Sequence, residues 1–168
     1  MLKKVRLQLI TERREAIGSL FDGDTPTLRS PNEIPEEDVE RMEITVEANY
    51  HDDGTRISMT YHESELTGMA GATTSISFNK NDAGLVSMLR HGTVKTALVF
   101  EKGKRHTCVY ETPIMPFEIC VLTSDVVNAI EAEGTLTLDY TVELRGAAAE
   151  HTHFNLRVLP FFDKPAKL

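Results

Sequence analysis

The sequence of 168 residues predicts an all-β protein, an antiparallel up-and-down barrel of about eight to ten strands, on three observations. Apolar and polar residues alternate with period two along most of the chain. Short strand-like runs follow one another with turn signals between them. Where the turns can be placed, the apolar faces of neighbouring strands fall on one side of the sheet. A meander of this kind can hide that face only by folding into a sandwich or curling into a barrel, and closure also removes the exposed edges.

Residues 3–11 supply the first strand. Residues 18–37 carry Pro26, Pro31 and Pro35 and several acids without apolar periodicity, which predicts a long mobile loop before the second strand. The alternation is clearest at residues 42–50, where Met42, Ile44, Val46, Ala48 and Tyr50 interleave with Glu43, Thr45, Glu47 and Asn49. Asp53-Gly54 suits a two-residue type I′ turn, because both central positions need positive φ. That turn sets Tyr50 opposite Ile57, Ala48 opposite Met59, Val46 opposite Tyr61, Ile44 opposite Glu63 and Met42 opposite Glu65.

Further strands are expected at residues 55–65, 72–80, 85–90, 93–101, 104–112, 116–123, 135–145 and 151–159. A turn at His91-Gly92 places Val86 opposite Ala97, Met88 opposite Lys95 and Arg90 opposite Thr93. One at Lys102-Gly103 places Val99 opposite His106, Ala97 opposite Cys108 and Lys95 opposite Tyr110. One at Ile114-Met115 places Cys108 opposite Val121, Tyr110 opposite Ile119 and Thr112 opposite Phe117. Residues 124–133 fit either a short helix or a hairpin strand, and the strand is preferred. The tail at 160–168 reads as a covering strap or a frayed end of a single domain spanning 1–168.

With 26 acidic against 18 basic residues the formal net charge is −8, and the longest basic cluster, Lys102-Gly103-Lys104-Arg105, sits on a hairpin tip. A nucleic-acid partner is therefore excluded, since neutralising phosphates takes a basic stripe. Charges interrupt the apolar residues of the N-terminus and no apolar run reaches membrane-spanning length, so neither a secretion signal nor a membrane partner is expected. The protein is placed in the cytoplasm, with Cys108 and Cys120 as free thiols on opposite faces of the sheet.

Inward-facing charges carry the functional reading. Alternate turns of a meander lie at opposite ends, so Glu63, Glu65, Thr74, Arg90, Lys95, Tyr110 and Thr112 approach one mouth. A buried charge needs a partner, which pairs Arg90 with Glu63 or Glu65, beside Tyr61 and Tyr110. Two readings stay open. The pair plugs a filled barrel, or Arg90 with Lys95 binds the carboxylate or phosphate of a small ligand whose apolar part enters among Met59, Met88 and Val99.

Nucleophile-elbow, phosphate-loop and metal-binding signatures are missing from the sequence, so catalysis has little support and an enzyme ranks third among the readings, and no cofactor or metal is expected. His151-Thr152-His153 places two imidazoles on one strand face, but that face points outward if Phe154 points inward. Glu63 and Glu65 resemble a glycosidase acid pair without the tryptophan that stacks sugars. Cys108 and His106 share a face without an orienting third group, which favours an inert core cysteine.

Several ordered stretches carry a family likeness: residues 61–74, from Tyr61-His62-Glu63-Ser64-Glu65 to Gly71-Ala72-Thr73-Thr74; Leu89-Arg90-His91-Gly92; Val99-Phe100-Glu101-Lys102-Gly103-Lys104-Arg105-His106; Tyr110-Glu111-Thr112-Pro113; and Phe117-Glu118-Ile119-Cys120-Val121-Leu122-Thr123. Together they resemble the YwiB-like family of small bacterial proteins of unknown function, over most of residues 40–158. The resemblance implies a calycin-like, lipocalin-like β-barrel and a bacterial cytoplasmic setting, and it transfers no catalytic residue. Three features depart from the family pattern: the long loop at 18–37, Ile114-Met115 in place of a turn with glycine, and Cys120 in place of glycine. Two functions follow as expectations: a barrel binding a small amphipathic or acidic ligand at its mouth, or a solid-core barrel acting as a protein-interaction or homo-oligomeric module.

Overall fold

The computed structural model describes residues 1–15, 39–144 and 147–161. The loop expected at 18–37 and all but the first two residues of the tail lie outside the described residues. Ten strands form, in chain order β1 (Leu2–Glu15), β2 (Val39–Asp52), β3 (Arg56–His62), β4 (Ala72–Asn79), β5 (Asp82–Gly92), β6 (Thr96–Glu101), β7 (Arg105–Glu111), β8 (Pro116–Ala129), β9 (Thr135–Leu144) and β10 (Ala147–Pro160). They make one antiparallel sheet in the order β6-β5-β4-β3-β2-β1-β10-β9-β8-β7, so each strand neighbours its sequence neighbours and β1 closes onto β10. The result is the predicted all-β, calycin-like up-and-down barrel.

Closure is incomplete at one seam. Between β6 and β7 a single bridge, Lys95 with Glu111, makes two backbone hydrogen bonds of 3.0 and 2.8 Å. At the other end of the seam the hairpin is held by Lys104 N–H to Glu101 O and by Gly103 N–H to Thr123 O.

The alternating apolar residues fill the interior as expected, and Leu7, Ile57, Met59, Ile76, Phe78 and Phe100 are among those wholly enclosed. At the end opposite the mouth, β8 runs on to Ala129 and then makes one helical turn, α1 (Ile130–Glu133). The preference for strand over residues 124–133 thus holds only to Ala129. Ile130 is buried beneath the turn, and the Asn128 amide donates to Ala83 O at 2.9 Å, tying β8 to the start of β5. This end of the barrel is shut by side chains.

Hairpin register departs from expectation in an instructive way. At the β2–β3 hairpin Tyr50 pairs with Met59 and Asp52 with Ile57, two residues off. The cause is a longer turn: Asp53 Oδ1 accepts from Thr55 and Arg56 N–H, and Asp53 N–H donates to Arg56 O. At β7–β8 Cys108 pairs with Ile119 and Tyr110 with Phe117, again two off, because Thr112 organises a longer turn. Even slips keep the same faces inward. At β5–β6, however, Met88 pairs with Leu98 and Arg90 with Thr96, an odd slip of three that turns β6 over. Leu98 and Phe100 then enter the core in place of Ala97 and Val99, burying more apolar surface. Among the described residues no helix is long and apolar enough to cross a membrane.

Candidate functional site

Glu63 follows β3 and its side chain is only 2% exposed. It accepts hydrogen bonds from the Thr74 hydroxyl at 2.6 Å and the Thr67 hydroxyl at 2.8 Å. Thr67 is delivered by a 3-10 turn (Glu65–Thr67) that Gly68 ends in the left-handed region. Arg90, 14% exposed and paired on β5 with Thr74 of β4, brings Nε to 3.9 Å from Glu63 Oε1. Two glycines let these segments meet: Gly92 has φ +121°, and a Cβ there would lie 2.3 Å from Gly71 O. The neighbouring Thr93 hydroxyl donates to Ala70 O at 3.0 Å, which fixes the β5–β6 connection to the segment before β4.

Tyr61 is buried on the same face. Its hydroxyl pKa is raised well beyond the ordinary tyrosine value, by burial first and by the Glu63 carboxylate second. Beside a neutral tyrosine and a carboxylate held by two hydroxyls, the guanidinium is the least enclosed member of the group. Among the described residues no acceptor makes a hydrogen bond to Arg90 Nε, although that atom is buried.

Arg90 faces a chamber of about 290 Å³ at the mouth, which Arg13, Tyr110, Tyr140, Glu150 and Thr152 also line. Arg13 and Glu150 form an ion pair at 3.5 Å, and the Thr152 hydroxyl donates to Glu150 at 3.3 Å. Burial raises the Tyr140 hydroxyl pKa as well. Beside the chamber lies a second hollow of about 290 Å³, lined by Tyr110, Phe117, Ile119, Val142, Leu144 and Glu150. Three residues, Tyr110, Val142 and Glu150, line both. The mouth therefore has one charged wall and one oily wall, and Leu144 on the latter remains 39% exposed.

Tyr61, Glu63, Thr74 and Arg90 assemble as the sequence suggested, with Tyr110 across the chamber. Three other expected members stand apart. Glu65 is exposed on the 3-10 turn, which also dissolves the proposed acid pair with Glu63. Lys95 is exposed on the outside, since the odd slip at β5–β6 reverses its face. The Thr112 hydroxyl is occupied by its own turn, accepting from Ile114 and Met115 N–H and donating to Met115 O.

The apolar wall is also not where it was expected. Met59 and Met88 are sealed in the packed core, and Val99 points outward. Arg13, Glu150 and Thr152 were missed, yet each continues the inward phase of its strand: Arg13 follows Val5, Leu7 and Leu9, and Glu150 and Thr152 precede Phe154 and Leu156.

The remaining sequence candidates lie outside this group. Asp139 bridges the two outward imidazoles, with Oδ1 2.8 Å from His151 Nε2 and Oδ2 3.3 Å from His153 Nδ1. Among the described residues no group of three or more His, Cys, Asp or Glu is arranged to hold a metal ion. Both cysteines are free, and burial raises the pKa of the Cys108 thiol, which lies 3.8 Å from the Thr96 hydroxyl.

A family model described as a domain of unknown function (DUF1934) matches residues 27–156. Among solved structures, the crystal structure of the YwiB protein from Bacillus subtilis is similar, with a TM-score of 0.63 and 14% identity over 93% of this chain and 94% of that one. At that identity the likeness speaks for the barrel alone. No curated protein matches the chain. The chain belongs to the DUF1934 family, the YwiB-like group that the motifs indicated.

Proposed function

We propose that this DUF1934 barrel binds a small amphipathic acid at its mouth, with the acid group on Arg90 and the apolar part against Phe117, Ile119, Val142 and Leu144. One observation carries the reading: a mostly buried guanidinium lines the chamber, and among the described residues no acceptor makes a hydrogen bond to its Nε–H. An unmet donor at a charged group is costly, and a carboxylate or phosphate oxygen is the acceptor that guanidinium geometry suits best. Glu63 balances the charge of Arg90 without consuming its donors, because the Thr67 and Thr74 hydroxyls hold its oxygens. Arg13 stands by as a second cation, already engaged by Glu150. The oily wall supplies affinity that an acid group alone lacks. The partly buried free thiols suit the cytoplasmic setting assigned to the chain.

Calorimetric titration with octanoate, acetate and 1-octanol tests this reading. Octanoate is expected to bind, with acetate and octanol each much weaker. Arg90→Gln should weaken octanoate about tenfold or more, as loss of a charge-assisted hydrogen bond implies. Leu144→Asp should weaken octanoate and leave the response to acetate unchanged. Absence of octanoate binding to the wild-type protein, or binding indifferent to Arg90→Gln, would overturn the proposal.

A further inference from the structure

The charged side chains of the mouth chamber stand two against two: Arg13 and Arg90 line it with Glu150, and Glu63 backs Arg90. An acid seated on Arg90 therefore leaves an excess of negative charge, in a site partly shielded from water. A cationic group on the same ligand would restore the balance.

Glu150 is placed to receive that group. Arg13 Nε approaches it at 3.5 Å and the Thr152 hydroxyl at 3.3 Å, both long for contacts to a carboxylate. Both fall on Oε1, and among the described residues no donor bonds Oε2. Glu150 also lines the oily hollow, where a carboxylate is a poor neighbour for an alkyl chain. Among the described residues, then, the mouth offers a donor without an acceptor at Arg90 Nε and an acceptor without a donor at Glu150 Oε2.

We propose, resting on the acid-binding reading above, that the ligand is a zwitterion, an α-amino acid with a long apolar side chain. Its carboxylate meets Arg90, its ammonium meets Glu150, and its side chain lies on Phe117, Ile119 and Leu144. The two charged groups of such a ligand share one carbon, which suits a donor and an acceptor lining a single chamber of about 290 Å³. A peptide carries them at opposite ends.

Calorimetric titration of the full chain at neutral pH with α-aminooctanoate, its N-acetyl derivative and octanoate tests the proposal. All three share the acid group and the chain, and only the first carries an ammonium. The amino acid is expected to bind about tenfold or more tightly than either of the others, as one charge-assisted contact implies. Glu150→Gln should invert that order, weakening α-aminooctanoate and strengthening octanoate, because it removes an anion from the mouth. Octanoate or the N-acetyl derivative binding as tightly as α-aminooctanoate, or an advantage that survives Glu150→Gln, overturns the proposal and leaves the acid-binding mouth standing. If none of the three binds, both readings fall.

Discussion

The two ends of this barrel are built from the same alternating strands and reach opposite outcomes. At the hairpin end Phe78, Phe100 and Leu136 close the interior and the α1 turn lowers Ile130 onto them. At the rim of that end Lys80 and Asp52, each partly exposed, form a 2.8 Å ion pair. At the mouth the inward phase changes character: Glu63, Arg90, Arg13 and Glu150 replace hydrocarbon, and Ile119 and Leu144 face inward without being covered. The lesson is that one end is committed to stability and the other holds surface in reserve. Buried charges and uncovered hydrocarbon both cost folding free energy, and a bound amphiphile would offset both costs.

The largest expected effect separates the ends outright. Phe78→Ala removes a fully enclosed ring and should lower stability by about 3–5 kcal/mol in chemical denaturation. Octanoate affinity of the folded variant should be unchanged, and a parallel loss of affinity would mean that the two ends are not independent. Next comes Arg90→Leu, which leaves Glu63 buried without its cation and should cost about 3 kcal/mol. Adding Glu63→Gln should recover part of that loss, whereas an unchanged denaturation midpoint in the single variant would show that the pair does not bear on folding. Thr74→Val removes one of the two hydroxyls on Glu63 and should cost about 1–2 kcal/mol. Its melting curve should respond more than that of Thr112→Val, whose hydroxyl serves an exposed turn.

The smallest effect lies at the closed end and depends on pH. The hydrogen bond from Lys80, followed by that from Gly54 N–H, holds the Asp52 carboxyl below its ordinary pKa of 3.8. The same pair raises Lys80 above its ordinary 10.5. A lowered carboxyl pKa contributes stability that is present above 3.8 and lost as pH falls through the folded value. A raised lysine pKa contributes stability that is present below 10.5 and lost as pH rises through the folded value. The small difference in urea midpoint between wild type and Asp52→Asn should therefore be constant across neutral pH and vanish in acid. A difference that grows in acid would contradict the pairing.

The strands were legible because alternation is a local property, and so were Tyr61, Glu63, Thr74 and Arg90, which lie on the inward phase of strands whose neighbours agree. Turn length was not, because it depends on side-chain hydrogen bonds such as those of Asp53 and Thr112. At β2–β3 and β7–β8 the error was even and harmless. At β5–β6 it was odd and carried Lys95 to the wrong face, although the larger Leu98 and Phe100 beside Ala97 and Val99 held the clue. The oily wall at Phe117, Ile119 and Leu144 was illegible for another reason. Alternation says which way a side chain points but not how deep along the axis the packing reaches, and here α1 and Ile130 seal the end away from the mouth.

The central claim, that one end is filled and the other receives a ligand, is tested most directly by following backbone amide resonances during titration with octanoate. Shifts concentrated at Arg90, Tyr110, Phe117 and Val142, with Phe78, Phe100 and Leu136 silent, are the predicted result. Shifts centred on Phe78, Phe100 and Leu136, or none anywhere at saturating octanoate, would contradict it.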